Sequence, residues 1–355
     1  MITNASARTG SFAGERPRLA RRRLTRRLVV GVLLPALALA GLFAFRQYNL
    51  HRFHLEKQVR FMMDTYVTVY AVGPKTKTLP AVNAALERMQ AVDDKFSSRN
   101  PQSPVFAFNH RNEPITDREV LDLVGLSLQV ARDTSGAFDI TVAPLIELWG
   151  FYGDSPRVPE AQEIQRCLER VGYGGLILTD TELRKDRDDL KIDLGAVAKG
   201  YAVGQAAAVL KERGVAAALI DAGGDIFALG RKAGQPWKVG LRKPRGEGIL
   251  GYLEVEDVAV MGSGDYERFF VSGASRYHHI FDPRTGYPAE GVQGTTLLHP
   301  DPAVADAWNT AVFVLGPERG LDLVERIPGM EALMVTTSGD IVYSSGLARA
   351  LKNVE

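Results

Sequence analysis

Residues 192–201 read IDLGAVAKGY and open an Ala-rich run. The run predicts a helix over residues 194–214, capped at its N-terminus by the carboxylate of Asp193. Ala196 and Lys199 are three positions apart and would share one face of this helix. Because a helix N-terminus with a lysine beside it suits an anion, the segment is a candidate phosphate site. An ordinary packing helix with a solvated lysine explains these residues equally well.

Around this helix, other helical segments and strands follow one another irregularly. Helical spacing and strand-like composition predict helices at 80–96, 117–134, 159–171, 302–315 and 320–327, and strands at 63–70, 216–221, 237–241, 251–255, 258–261, 277–281, 294–298, 330–337 and 341–344. Residues 97–112 predict a loop. Strands that come in runs favour an α+β fold with mixed or antiparallel sheets flanked by helices, and the pattern is compatible with two lobes. No linker divides residues 58–355, so we expect one catalytic unit there.

The N-terminal region differs in composition from the rest. Residues 1–27 hold eight Arg and one acid, and residues 28–45 are 18 uncharged, mostly apolar residues. We expect a basic cytoplasmic tail followed by one N-terminal transmembrane helix, which the run is just long enough to form. A cleaved signal stays open because Ala36-Leu37-Ala38 resembles a cleavage site, and a buried core helix is a further alternative. The positive-inside rule would place the rest of the chain on the periplasmic side of a bacterial inner membrane.

Composition and missing motifs exclude several classes of protein. The net charge is +1, so residues 28–355 carry −6 against the +7 of the tail, and nucleic acid is not expected as a partner. The single cysteine, Cys167, excludes an intramolecular disulfide and a cysteine-rich zinc site. The chain also contains no P-loop, no HExxH and no G-x-S-x-G motif. Any chemistry therefore depends on less general sets of residues.

Three further segments are candidates for a site. Residues 135–139 (SGAFD) and 221–225 (DAGGD) place glycines at turns, where the backbone can approach a ligand. A helix cap with Asp139 and a plain tight turn are the corresponding structural interpretations. His278 and His279 are neighbours on a predicted strand, so only one of them can face a given site.

One helix near the C-terminus carries hard oxygen ligands. Asp306, Asn309 and Thr310 lie at positions i, i+3 and i+4, which share a helix face. One carboxylate with an amide oxygen and a hydroxyl suits Mg²⁺, which binds one or two carboxylates together with substrate phosphate oxygens. Helix capping near Pro302 is the alternative explanation of this spacing.

Taken together and in this order, these segments resemble the FAD:protein FMN transferases, the ApbE-like flavin transferase family. The resemblance runs from about Met63 to about Ser345. It implies an enzyme that uses Mg²⁺ and FAD, transfers FMN to a Ser or Thr hydroxyl of an acceptor protein, and releases AMP. The implied acceptor carries a Ser/Thr-Gly-Ala-Ser/Thr motif and is a subunit of a membrane redox complex. The alternatives are an FAD pyrophosphatase and a non-catalytic FAD-binding assembly factor for such a complex.

The resemblance also assigns roles to individual residues. The implied FAD contacts are Met63, Arg99, Ala137, Phe138, Asp139, Asp193, Lys199 and Ile280. The implied metal contacts are Asp306, Asn309, Thr310 and the backbone carbonyl of Ala196. Arg99 stands where the family often has an aromatic residue, and its guanidinium could stack on a ring. The predicted catalytic residues are Asp306, as metal ligand, and His279 and Asp265, as candidate general bases.

Overall fold

The structure is a computed structural model, and it divides the chain into two units. It describes residues 34–52, 54–153 and 155–352. The units are Met1–Phe53 and His54–Glu355, and the second is called the body below.

The described part of the first unit is a single helix, α1, which spans Leu34–Arg52. The predicted basic tail and the first residues of the predicted span, 28–33, lie outside the described residues. In the described part of the chain, no helix combines the length and the apolar character that crossing a bilayer requires.

The described residues of the body form fifteen strands and seven helices. The strands are β1 (Leu55–Met62), β2 (Thr65–Val72), β3 (Leu176–Leu178), β4 (Leu183–Lys185), β5 (Ala218–Ala222), β6 (Asp225–Leu229), β7 (Trp237–Arg242), β8 (Ile249–Val255), β9 (Val258–Gly264), β10 (Phe269–Ser272), β11 (Ser275–His278), β12 (Val292–His299), β13 (Glu331–Thr336), β14 (Ile341–Tyr343) and β15 (Leu351–Lys352). The helices are α2 (Lys75–Phe96), α3 (Pro104–Arg111), α4 (Arg118–Asp133), α5 (Ala143–Leu148), α6 (Ala161–Leu168), α7 (Ala198–Glu212) and α8 (Pro302–Val324).

One large sheet organises the body. Its strand order is β1-β2-β5-β6-β9-β12-β13-β14, and every neighbouring pair is antiparallel. Successive residues of a strand face opposite sides, so Met261 belongs to the core under α2, α7 and α8, whereas Val260 packs toward a second sheet, β15-β8-β7. The α+β class with antiparallel sheets is therefore confirmed. The described residues of the body form one compact unit and not two separate lobes.

The predicted strand at 63–70 is one half of a hairpin. Met63 and Asp64 have φ angles of 54° and 57°, which form the two-residue turn between β1 and β2. The strand prediction missed β1 because charged and apolar residues are mixed along it. The predicted loop at 97–112 likewise contains a helix, α3, whose N-terminus is capped by the Ser103 hydroxyl.

The helix predicted at 194–214 begins later, at Ala198. Asp193 does not cap it, because its carboxylate instead accepts a hydrogen bond of 2.8 Å from the backbone N–H of Gly195. Residues 194–197 form a turn that precedes the helix. Ala196 therefore lies outside α7, and the shared helix face predicted for Ala196 and Lys199 was wrong.

Helices α7 and α8 approach each other closely at Gly200. A Cβ atom on Gly200 would overlap the carbonyl oxygen of Pro302 and would lie 2.6 Å from the Cβ of Asp306. The backbone N–H of Gly200 donates a hydrogen bond of 2.7 Å to Oδ2 of Asp306. Because only glycine permits this approach, the residue at position 200 sets the position of Asp306.

We expect Gly200→Ala to lower the free energy of unfolding by about 1–3 kcal/mol, the usual cost of overpacking an interior. Gly204→Ala, one turn later, is the control, because its Cβ would meet only the Pro302 ring at 3.6 Å. The control should be neutral or stabilising, since alanine favours helices. Denaturant unfolding measures both variants, and equal stabilities would show that the two helices can separate at no cost.

Candidate active site

A cavity of about 360 Å³ opens beside the N-terminus of α7. Its wall combines the β1–β2 turn, the segment 137–142, the turn before α7, the end of β9 and the α8 residues Asp306 and Thr310. Most of the predicted site residues line it, and these are Met63, Arg99, Ala137, Phe138, Asp139, Asp193, Ala196, Lys199, His279, Ile280, Asp306 and Thr310. The two predicted site residues that do not line it are Asp265 and Asn309.

A lysine and two carboxylates form the charged centre of the site. Lys199 pairs with Asp225, which is 1% exposed and also accepts a hydrogen bond of 3.1 Å from the N–H of Gly262. Burial alone would lower the pKa of Lys199, but Asp225 and Asp306 outweigh it and raise that pKa to about 12. Burial, followed by the charge of Asp225, raises the pKa of Asp306 to about 8, although Lys199 opposes this rise. When Asp306 is ionised, the two carboxylates exceed the single ammonium group by one negative charge, which an added cation can balance.

The turn before α7 contains a backbone carbonyl, that of Ala196, which lacks its usual helical hydrogen bond. In a regular helix the N–H of Gly200 would bond to the carbonyl of Ala196, four residues earlier. Here that N–H donates to Asp306 instead. The Ala196 carbonyl is therefore left without its helical donor at the wall of the cavity, where it can serve as a ligand.

The donor set fits a hard cation better than a transition metal. Within the residues that the structure describes, no group of three or more His, Cys, Asp or Glu side chains could hold a metal ion. A cation at this centre has to combine the Asp306 carboxylate with uncharged oxygens, namely the Thr310 hydroxyl and the Ala196 carbonyl. One carboxylate with neutral oxygens is the set that Mg²⁺ uses together with substrate phosphates.

Asn309, a predicted metal ligand, has a different position. It is fully buried, its amide donates to Oγ of Ser263 at 2.9 Å, and its Oδ1 accepts from the Thr295 hydroxyl at 2.7 Å. The side chain thus joins α8 to β9 and β12. Neighbouring residues point about 100° apart around a helix, so Thr310 can face the cavity while Asn309 faces the sheet. This placement corrects the i, i+3, i+4 argument.

Asp265, a predicted general base, also lies away from the cavity. Its Oδ1 accepts a hydrogen bond of 2.7 Å from Arg245, and Arg276 lies 3.8 Å away. Two guanidinium groups thus hold this carboxylate on one side. Asp265 does not line the cavity, so the structure does not bring it to the predicted place of a general base.

The two adjacent histidines, the last residue of β11 and the residue after it, have different surroundings. His278 is buried and its Nε2 lies 2.9 Å from the carbonyl oxygen of Ala289, whereas His279 lines the cavity. Burial, followed by the charge of Arg268, lowers the pKa of His279 to about 3, so its ring is neutral at pH 7. Its Nδ1 lies 3.2 Å from the carbonyl oxygen of Arg268. We assign the proton to Nδ1, which leaves Nε2 as a hydrogen-bond acceptor.

The predicted flavin-binding acids have protein partners of their own. Asp193 accepts hydrogen bonds from the Ser98 and Tyr152 hydroxyls. Asp139 caps a short helical turn by accepting from the N–H of Thr141 at 2.8 Å, and also accepts from the N–H of Tyr173 at 2.8 Å. Burial raises the pKa of Asp139 although these bonds oppose the rise. Both carboxylates therefore shape the wall of the cavity.

Sequence reasoning missed several residues that the structure brings to the site. Asp225 lies in the segment 221–225, for which the sequence predicts only a turn. Its pairing with Lys199 arises because α7 packs against the sheet. Tyr152 belongs to no motif, yet it lines the cavity. Asp64 pairs with Arg99 at the wall, so the guanidinium predicted to stack on a ring already has a partner.

Several known proteins resemble this chain in sequence and in fold over most of its length. The profile described as the ApbE family matches residues 63–334. A curated FAD:protein FMN transferase from Klebsiella pneumoniae (strain 342) is 32% identical over 293 residues, which are 78% of this chain and 83% of that protein.

Two solved structures share the fold. The ApbE protein of Thermotoga maritima is 36% identical with a TM-score of 0.79, and the flavin transferase ApbE of Vibrio cholerae is 28% identical with a TM-score of 0.74. Each comparison covers 84% of this chain and 100% of the other. The profile match and the identities over most of both chains lead to one conclusion: this chain belongs to the ApbE family.

Proposed function

We propose that this protein transfers FMN from FAD to a Ser or Thr hydroxyl of an acceptor protein, with Mg²⁺ bound at Asp306. The observation that carries the proposal is the charged centre of Lys199, Asp225 and Asp306 at the cavity. The curated relatives that bear the name FAD:protein FMN transferase support the reaction. The Asp306 carboxylate, the Thr310 hydroxyl and the Ala196 carbonyl would hold the metal.

The reaction exchanges one phosphorus–oxygen bond for another. The acceptor oxygen forms a bond to the phosphorus of the FMN half, the pyrophosphate bond breaks so that AMP leaves, and the hydroxyl proton passes to solvent water. Bound Mg²⁺ would neutralise pyrophosphate charge and polarise the phosphorus. The Lys199 ammonium adds positive potential where negative charge grows. The Nε2 atom of neutral His279 can accept a hydrogen bond from the acceptor hydroxyl and orient it.

We further propose that the protein acts at a membrane and outside the cytoplasm. The arginine-rich tail and the apolar run at 28–45 support this location, and they fit an anchor in a bacterial inner membrane with the body on the periplasmic side. A membrane redox subunit with a Ser/Thr-Gly-Ala-Ser/Thr motif would then be a suitable acceptor. The chain itself contains Ser272-Gly273-Ala274-Ser275, but β10 and β11 hold this segment in a hairpin turn, so we do not expect self-modification.

We expect Asp306→Asn to reduce FMN transfer about 100-fold or more in saturating Mg²⁺, because the only carboxylate ligand loses its charge. The asparagine oxygen can still accept the hydrogen bond from Gly200, so the body should stay folded. Asp322→Asn removes an exposed acid from the same helix and is the control. Transfer is measured by the mass gain of an acceptor peptide that carries a Thr-Gly-Ala-Thr motif. Wild-type rates in Asp306→Asn would exclude Asp306 as the metal ligand.

We expect Lys199→Ala to weaken FAD binding about ten-fold and FMN binding less, because FAD carries the pyrophosphate and FMN a single phosphate. Flavin fluorescence titration measures both affinities, and Lys211→Ala, near the other end of α7, is the control.

The Lys199 variant also leaves Asp225 without its counter-ion, which destabilises the fold independently of binding. The double variant Lys199→Ala/Asp225→Asn should recover stability in denaturant unfolding without recovering FAD affinity. Equal losses for FAD and FMN would place Lys199 away from the pyrophosphate.

A further inference from the structure

We infer that the open edge of strand β1 is the docking site for the acceptor protein, which adds an extended segment to the large sheet. The inference rests on the proposed transfer to a protein acceptor, because such an acceptor has to bring its hydroxyl to the cavity in an unfolded or extended segment. Peptides commonly bind in this way, by pairing with an exposed sheet edge.

The backbone of β1 is available for pairing. β1 is the terminal strand of the eight-stranded sheet and pairs with β2 on one side; on its other side, no strand of the described residues pairs with it. With eight residues it is longer than most strands. Proteins normally shorten, cover or disrupt such an edge, because its free N–H and C=O groups attract other chains. A long open edge therefore indicates a place where another chain binds.

The side chains along this edge form an exposed apolar patch. Val59, Phe61 and Tyr66 are 48%, 65% and 69% exposed. Phe61 and Tyr66 lie directly opposite each other in the β1–β2 register, and their rings meet edge to face at 5.3 Å. Large aromatic side chains of this kind contribute most of the binding energy at protein interfaces. We call these three residues the hairpin patch.

The same hairpin ends at the cavity. The turn residues Met63 and Asp64, and Thr65 after them, line the cavity wall. Thr65 packs against Gly223 so closely that a Cβ added to this glycine would lie 3.0 Å from the Thr65 Cβ. Gly223 is two residues before Asp225 of the charged centre. A segment paired with β1 that continues past Met62 is therefore directed to the place where the phosphorus would lie.

The charges on the edge define the chemistry of the partner. β1 carries Glu56, Lys57 and Arg60. Glu56 is buried and lies 3.3 Å from His54, whereas Lys57, which lies over the Tyr70 ring, and Arg60 have no ion-pair partner among the described residues. The matching partner is an extended protein segment with alternating apolar residues and at least one acidic residue. A lipid surface could bind the aromatic rings but not the strand edge, because hydrocarbon cannot form hydrogen bonds with the unpaired N–H and C=O groups of β1.

The test compares the full-length chain with Phe61→Ser/Tyr66→Ser. The control is Tyr343→Ser, because Tyr343 is 45% exposed on β14, at the opposite edge of the same sheet. The probe is a synthetic peptide with a Thr-Gly-Ala-Thr motif and an alternating Val/Glu flank as long as β1. Mass spectrometry of the peptide at several peptide concentrations measures the rate of FMN transfer, and flavin fluorescence titration measures the affinity for FAD.

We expect the double variant to raise KM for the peptide about ten-fold or more, with kcat and FAD affinity unchanged and the control equal to wild type. Wild-type KM in the double variant would overturn the docking site alone, because transfer itself would still occur. If the wild-type chain transfers no FMN, the proposed function fails and the inference fails with it. If KM is unchanged but binding to phosphatidylglycerol/phosphatidylcholine vesicles drops, the hairpin patch belongs to a membrane contact and the inference is wrong.

Discussion

The hydrogen bond from the Gly200 N–H to Asp306 organises the site of this protein. It exists because glycine lets α7 approach α8 until no Cβ could fit between them. The bond holds the Asp306 carboxylate, the proposed metal ligand, at the cavity. It also takes the Gly200 N–H away from the Ala196 carbonyl, which would otherwise be its helical partner. One close contact between two helices thus accounts for both of the proposed oxygen ligands, Asp306 and the Ala196 carbonyl.

The charged centre is costly in the absence of ligands. Asp225 and Asp306 are both buried, and within the part of the chain that the structure describes the ammonium group paired with this centre is that of Lys199, 32% exposed at the cavity. Burial raises the pKa of Asp306 to about 8, and ionising this carboxyl without a further cation destabilises the fold, so such groups persist mainly where they serve binding or catalysis. A cation at Asp306 would complete the balance. A pyrophosphate would then meet two positive charges, those of the cation and of Lys199.

Different elements of the body provide the chemistry and the surface for a partner. The oxygens and the lysine of the candidate site lie on α7, α8 and the turn before α7, and Asn309 joins α8 to β9 and β12. The exposed strand edge lies at the end of the same sheet, and the β1–β2 turn connects it to the cavity wall. The sheet therefore holds the helices in place and presents the docking edge at a fixed distance from them.

The sequence by itself determined the α+β class, because strand and helix periods are local properties, and the family resemblance of its segments implied twelve residues that line the cavity. The tertiary structure decided which residues contact each other at the site. Asp225 pairs with Lys199 through the packing of α7 on the sheet, and no local pattern records that contact. Asn309 turns to the sheet and Asp265 to two arginines, because helix direction and long-range ion pairs are fixed only on folding. Local spacing tells which residues can share a face, but the neighbours on that face come from distant parts of the chain.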